Sequence, residues 1–278
     1  FIFSPFILII IGEKINGAIP VVKKAIEEKD AEFIRNRAIK QAEAGADYID
    51  ICASTTPDIE IDTLKWLIEI VQDAVEVPIC IDSPNPLFIK EVFPLIKRPG
   101  IINSVNLELI QGTNQDKCDI LFPLIEGTDW QVIALTCDSE HGTPQDVATR
   151  VKITKSIVEK AAKYGITPDK IHIDPLVMAL STDNNSLLNF IESIQEIKAI
   201  YPTIKITSGL SNISFSMPAR KIINQNFMTL AIYSGMDSAI MDPLNKGVMG
   251  SIFATEALLA RDRHCRKYNK AFRSGKIG

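Results

Sequence analysis

Two hydrophobic rhythms alternate along this chain. Short runs of Val, Ile and Leu, the composition of strands buried on both faces, are separated by stretches in which apolar residues return every three or four positions. The runs predict strands over about 6–12, 47–54, 78–82, 100–104, 130–137, 170–174, 204–208 and 237–242. Helical spacing fills 30–46, 62–74, 86–97, 115–125, 144–164, 185–200, 218–234 and 248–272, with Leu64, Leu67, Ile68 and Val71 on one face of the second. Asp30 is placed to cap the first of these helices, and Gly45 and Gly165 are placed to stop two of them.

Strict alternation of strand and helix predicts an α/β fold with a parallel sheet. Eight such units in 278 residues fit a single (β/α)8 TIM barrel spanning 1–278. A doubly wound open sheet would carry G-x-G-x-x-G after its first strand, whereas this chain reads GEKINGAIP at 12–20. The opening FIFSPFILIII lacks a positive flank, contains Pro5 and falls short of the ~20 residues needed to span a bilayer. It is read as a first strand ending at Gly12-Glu13, with residues 1–6 as an added or disordered lead-in.

Five strands stop at Asp or Asn beside turn residues: PICIDSPNP (78–86), GIINSVN (100–106), KIHIDPL (170–176), KITSGLSN (205–212) and SAIMDPL (238–244). In a barrel these stops share one polar mouth, the end at which barrel active sites form.

The chain is 46% hydrophobic and 23% charged, ordinary for a globular protein, with a net charge of −4. Its basic residues alternate with acids, as in KKAIEEKD (23–30), the pattern of a solvated helix face; neither a nucleic-acid groove nor a membrane surface is expected. Five scattered cysteines without a C-x-x-C argue for a reducing, cytoplasmic setting.

Candidate chemistry narrows by residue type. None of His141, His172 and His264 stands at a strand end beside a nucleophile, and His172 within a strand reads as a satisfied structural histidine. No spacing suits a metal, and none is expected. Asp50, Asp82, Asp174 and Asp242 have the oxygen donors for Mg²⁺, but the mouth is equally rich in amides that suit neutral hydrogen-bonding partners. What remains is recognition of a flat polar heterocycle. A carboxylate accepts paired N–H groups from an amino-pyrimidine edge, and an Asn amide reads adjacent carbonyl and ring-nitrogen positions. Asp82, Asn103 and Asp174, with GLSN, form such a set; helix caps or turn acids are the competing reading of each taken alone.

GEKING (12–17), CIDSPN (80–85), INSVN (102–106), IDPL (173–176), GLSNIS (209–214) and RKIINQNF (220–227) together resemble the pterin-binding methyltransferases that work with corrinoid proteins. That family includes methyltetrahydrofolate:corrinoid/iron–sulfur-protein methyltransferase and the methyltransferase components of O-demethylase and glycine-betaine systems. The resemblance runs from about residue 8 to the C-terminus. It implies a TIM barrel, a homodimer, and methyl transfer between N5 of tetrahydrofolate and cobalt carried by a partner corrinoid protein, in anaerobic one-carbon metabolism such as O-demethylation. It also implies that Asp82, Asn103 and Asp174 anchor the pterin and that Gly209 lets the backbone approach the ring. By the same resemblance Asn212 would reach N5 as the catalytic residue, and Arg220 would lie near the pocket. Two places depart from the pattern: Cys52 stands where relatives often carry Asn, and DSEHGTP (138–144) differs. Asp138 and His141 stand one residue too far apart for the D-x-H-x-x-G signature of bound cobalamin, so the corrinoid is expected on a partner.

Two other readings compete. Dihydropteroate synthase shares the pterin pocket but needs basic residues where this chain reads SGLSNIS (208–214). A non-catalytic folate-binding protein would use the same binding residues.

Overall fold

The computed structural model describes residues 7–278, so the reading of residues 1–6 as a lead-in lies outside the described residues. Eight parallel strands form one sheet: β1 (Ile9–Asn16), β2 (Tyr48–Cys52), β3 (Ile79–Asp82), β4 (Ile101–Leu107), β5 (Gln131–Asp138), β6 (Ile171–Asp174), β7 (Lys205–Ile206) and β8 (Ser238–Met241). Each strand pairs with its sequence neighbour, and β1 pairs with β8. Between β7 and β8 the ladder shrinks to one parallel bridge, Gly209 to Ile240, supported by Ile240 N–H to Ser208 O at 3.0 Å and Asp237 N–H to Ile206 O at 2.9 Å. The result is a nearly closed barrel, as the alternation predicts.

The helices are α1 (Pro20–Glu27), α2 (Ala31–Ala44), α3 (Pro57–Ala74), α4 (Pro86–Val92), α5 (Lys117–Ile125), α6 (Val147–Ala162), α7 (Ser186–Ile200), α8 (Arg220–Ser234), α9 (Lys246–Leu258) and α10 (Arg266–Arg273). Asp30 caps α2 through Phe33 N–H, and Gly45 ends it in the left-handed conformation. Three boundaries differ from the periodicity. α1 is an additional helix opened by Pro20, and α3 starts at Pro57 because a proline at the first turn and Asp58 and Glu60 behind it suit a helix start. The last predicted helix divides into α9 and α10, since Ala260, His264 and Cys265 take positive φ.

The principal core lies between the sheet and the helices. A smaller one fills the barrel with Ile11, Cys80, Ile101 and Ile133, surrounded by Ile9, Tyr48, Leu135 and Ile240. This apolar plug separates two polar layers. Below it, toward the amino-terminal strand ends, His172 meets Ser238 Oγ through Nδ1 at 2.7 Å and Gln131 Oε1 through Nε2 at 2.9 Å. Gln131 also donates to Tyr48 OH at 2.8 Å and accepts from Lys205 Nζ at 3.0 Å. Above the plug lie the strand-end acids and amides. Among the described residues, no helix is long and apolar enough to cross a membrane.

Candidate active site at the carboxyl ends of the strands

Period-two alternation decides which side chains enter the mouth. Because Cys80 and Ile101 face inward, Asp82 and Asn103, two residues further along paired strands, face inward as well; Asp82 and Asn103 are register partners. On the neighbouring strands Asp50 pairs with Cys80 and Cys52 with Asp82. Asp174 is the register partner of Leu135, which also packs on the barrel interior. The same count from Ile11 carries Glu13 inward.

The mouth is therefore rich in carboxyl groups held away from water. Asp50 is buried, and burial and then the neighbouring Asp82 charge push its pKa well above the usual range, against hydrogen bonds from Cys80 and Asn103. Asn103 Nδ2 reaches Asp50 Oδ1 at 3.3 Å. Burial raises Asp82 to about 6, partly offset by the Cys52 thiol and the Lys117 charge. Asp174 is also held at about 6 by burial, opposed by backbone N–H groups of Leu176 and Gly209 and by the charge of Arg150. Glu13 rises to about 7, again mainly through burial. Glu13, Asp82 and Asp174 can exchange a proton near neutral pH, a range suited to acid–base work.

The acids divide by what they already do. Asp174 Oδ1 accepts Leu176 N–H at 2.8 Å, and Asp242 Oδ1 accepts Leu244 N–H at 2.9 Å, so both are turn acids. Asp242 also pairs with Lys14 at 3.3 Å, which draws it to the rim. For Asp82 the turn is made by others: Ser83 N–H donates to Asn103 O at 3.2 Å, and Ser83 Oγ accepts Asn85 N–H at 3.2 Å. Its carboxylate is left facing the mouth.

The segment after β7 folds into a short 3-10 turn, Leu210–Asn212. A Cβ on Gly209 would sit 3.2 Å from Asn212 Nδ2, so glycine leaves room for that amide. Asn212 is exposed, and among the described residues its side-chain amide makes no hydrogen bond. Arg220, also exposed, turns back onto this loop: Nε donates to Ser214 Oγ at 3.0 Å and Nη2 to Ser211 O at 2.8 Å. It braces the segment that carries Asn212.

The structure thus brings Asp82, Asn103 and Asp174 to one mouth with Gly209 and Asn212 at its edge. Sequence reasoning missed Glu13 as a mouth residue, and counting by twos from Ile9 and Ile11 would have found it; Cys52, noted there as a departure from the family pattern, ends β2 beside Asp82. It also missed Arg150, fully buried in α6, whose charge favours the ionised form of Asp174. Among the described residues the one grouping with metal-like spacing is Asp138, Glu140 and His141, where β5 ends and its loop begins.

Comparison with known proteins adds to this geometry. The family model for pterin binding enzymes matches residues 21–242. The chain is 61% identical over 273 residues to the methylcorrinoid:tetrahydrofolate methyltransferase of Eubacterium limosum, covering 98% of each chain. It is 26% identical over 242 residues to methionine synthase of Mycobacterium leprae, covering 84% of this chain and 20% of that protein. Among solved structures, a Xanthomonas albilineans dihydropteroate synthase superposes with a TM-score of 0.67 at 16% identity, covering 93% of this chain and 94% of the other. A Stenotrophomonas maltophilia dihydropteroate synthase gives 0.67 at 16% identity, covering 92% and 95%.

Proposed function

The chain belongs to the pterin-binding enzymes, in the family of methylcorrinoid:tetrahydrofolate methyltransferase, and we propose that it transfers a methyl group from the cobalt of a methylated corrinoid protein to N5 of tetrahydrofolate. The observation that carries this reading is the chain-wide identity to that methyltransferase in a protein whose Asp82, Asn103 and Asp174 share one mouth. The alternatives explain less. The dihydropteroate synthases share the barrel at 16% identity, a level that speaks for the fold alone. The cation of this chain's equivalent segment, Arg220, is engaged by Ser211 and Ser214.

In this reading Asp82 and Asp174 accept N–H groups of the amino-pyrimidine edge, while Asn103, oriented through Asp50, reads the adjacent carbonyl and ring nitrogen. Gly209 lets the ring lie against the backbone, and Asn212 addresses N5. Methyl transfer forms the N5–CH₃ bond, breaks the carbon–cobalt bond with its electron pair left on cobalt, and releases the N5 proton. Asn212 follows the charge that develops on N5 by hydrogen bonding, and carboxylates of the mouth are poised to receive the proton. The protein does not hold the cobalt itself. Its partner is a corrinoid protein that docks over the mouth, whose rim carries exposed Leu87, Leu109, Phe215 and Leu244.

The whole chain acts as one pterin-binding domain, in the cytoplasm, in anaerobic one-carbon metabolism such as O-demethylation. Leu188 of α7 and Ile222 and Leu230 of α8 are exposed apolar residues on neighbouring helices, and the homodimer contact is assigned to these two helices. The decisive experiment mixes the protein anaerobically with tetrahydrofolate and methylcob(III)alamin, or a methylated corrinoid protein. Cobalt reduction is followed by absorbance and methyltetrahydrofolate is identified by mass spectrometry. Binding without methyl transfer would favour a folate carrier, and pteroate formed from hydroxymethylpterin pyrophosphate and aminobenzoate would favour the synthase.

A further inference from the structure

Three strand-end acids are followed by turns of two kinds. After Asp174 and Asp242 the sequence reads D-P-L, and the third residue donates its N–H to the acid: Leu176 to Asp174 Oδ1 at 2.8 Å, and Leu244 to Asp242 Oδ1 at 2.9 Å. After Asp82 it reads D-S-P, so the third residue is Pro84, which has no N–H to give. The next donor, Asn85 N–H, bonds Ser83 Oγ at 3.2 Å instead. Among the described residues no backbone N–H bonds the Asp82 carboxylate.

Ser83 in turn is held from behind. Its Oγ donates to Glu60 Oε1 at 2.5 Å, the length of a hydroxyl bonded to a carboxylate, and both residues are buried, Glu60 at 5% exposure and Ser83 at 2%. Glu60 lies in the first turn of α3, where the helix N-terminus favours its charge. Among the described residues this is its one hydrogen bond, and it makes no salt bridge. Ser83 N–H donates to Asn103 O at 3.2 Å, extending the pairing of β3 with β4 one bond past the Asp82–Asn103 register. Asn85 carries the link onward, since its Oδ1 accepts Leu87 N–H at 3.0 Å and caps α4. One serine thus ties β3, β4, α3 and the start of α4 together, directly behind two residues of the mouth. A carboxylate is costly to bury, and an apolar residue of similar size would pack α3 against β3 without that cost. What the carboxylate adds is an acceptor that keeps the Ser83 hydroxyl turned away from Asp82.

We propose that Glu60 is a positioning residue that, through Ser83, keeps the Asp82 carboxylate clear of its own turn and beside Asn103, so that both of its oxygens are open to the N–H pair of the pterin. The inference rests on the folate reading above. It concerns how tightly the ring is held, not the transfer of the methyl group.

The test measures tetrahydrofolate affinity by calorimetry and the methyl-transfer rate from methylcob(III)alamin at saturating tetrahydrofolate. It compares wild type with Asp82→Asn, Ser83→Ala, Glu60→Leu and Glu60→Gln. Ser83→Ala and Glu60→Leu should each weaken binding about tenfold. The rate at saturation should stay within about twofold, because Asn212 follows β7, across the barrel from β3. Glu60→Gln keeps an oxygen that accepts the Ser83 proton and should bind within about threefold of wild type. A role in packing alone predicts another pattern: Ser83→Ala and Glu60→Leu would unfold at lower temperature, yet bind as wild type once folded. That pattern, with Asp82→Asn still losing affinity, would overturn the proposal and leave the functional reading standing. So would a Glu60→Gln protein as weak as Glu60→Leu. If Glu60→Leu does not fold, Ser83→Ala decides. Wild-type affinity in Asp82→Asn, or no tetrahydrofolate binding by wild type, would instead sink the pterin reading of the mouth and this proposal together.

Discussion

At the floor of the barrel, His172 is fully buried between Ser238 and Gln131, with Tyr48 and Lys205 completing the network. At the mouth, Asp50 and Asp174 are buried and Glu13 and Asp82 half-buried, and their pKa values are displaced toward the neutral form because burial outweighs the donors they have. Both layers are polar residues in a low-dielectric interior on the same strands. In the floor each ring nitrogen has its partner, so the layer behaves as structure. In the mouth the acceptors outnumber the donors, and that shortage is what a ligand offering N–H groups relieves.

The largest expected effect breaks the floor. His172→Phe leaves Ser238 and Gln131 without their ring-nitrogen partner and should destabilise the protein by about 2–4 kcal/mol in denaturant unfolding, with tetrahydrofolate affinity of the folded protein unchanged. The pH dependence has a definite sign. Burial lowers His172 to about 3, against 6.5 as its ordinary value. Between those limits the unfolded chain binds the extra proton, so this contribution to stability is present above pH 6.5 and lost as pH falls toward 3. If His172→Phe lost stability equally at every pH, the floor would not be titrating as described.

The mouth should move the other way. Asp174 rises from 3.8 to about 6, so between those values the folded protein binds more protons and stability falls as pH rises. Asp174→Asn removes this slope, and relative to wild type the variant should gain on the order of 1–3 kcal/mol between about pH 4 and pH 7. The same change should weaken tetrahydrofolate binding about a hundredfold, since an amide cannot accept a pair of N–H groups. A variant that lost affinity without gaining stability at higher pH would show that Asp174 binds ligand but stores no desolvation cost.

How far this contrast was readable from the sequence depends on period and partner. All eight strands announce themselves as apolar runs, and Asp82, Asn103 and Asp174 stand at strand ends where alternation turns them inward. Glu13 is legible by the same count, although the apolar run stops beside it and the strand continues to Asn16. Asp174 and Asp242 sit in nearly identical D-P-L turns, and the pairing of Asp242 with Lys14 and the deeper burial of Asp174 separate them. That pairing joins residues far apart in sequence, as do the bonds of Gln131 to Tyr48 and His172 that make the floor. The apolar runs reveal a buried position, but they do not reveal whether a partner meets it there.

Asn212 offers a smaller effect on a different quantity. Its amide has no hydrogen bond among the described residues, and it is exposed at the rim, so removing it should leave the fold intact. Asn212→Ala is expected to lower the methyl-transfer rate about 10- to 100-fold while tetrahydrofolate affinity changes about threefold or less. Rapid-mixing kinetics at saturating tetrahydrofolate reads the rate directly. A loss confined to affinity would move Asn212 from the reacting atom to the binding edge.

The smallest effect tests where the mouth ends. Asp242 shares the strand-end position of Asp174, but its carboxylate is about a third exposed and already engaged by Lys14 at 3.3 Å. An ion pair this accessible is screened by solvent and contributes about 1 kcal/mol or less. Its charge also raises Glu13, whereas Lys14 lowers it, so the pair acts on that carboxyl in opposing directions. Asp242→Asn leaves Lys14 unopposed, and Glu13 should then ionise at a lower pH, while Leu244 N–H can still be accepted by the amide oxygen. Tetrahydrofolate affinity should change less than about threefold and stability by less than about 1 kcal/mol. A hundredfold loss of affinity, equal to that expected of Asp174→Asn, would place Asp242 inside the binding site and show that pairing with a lysine does not remove a strand-end acid from the mouth.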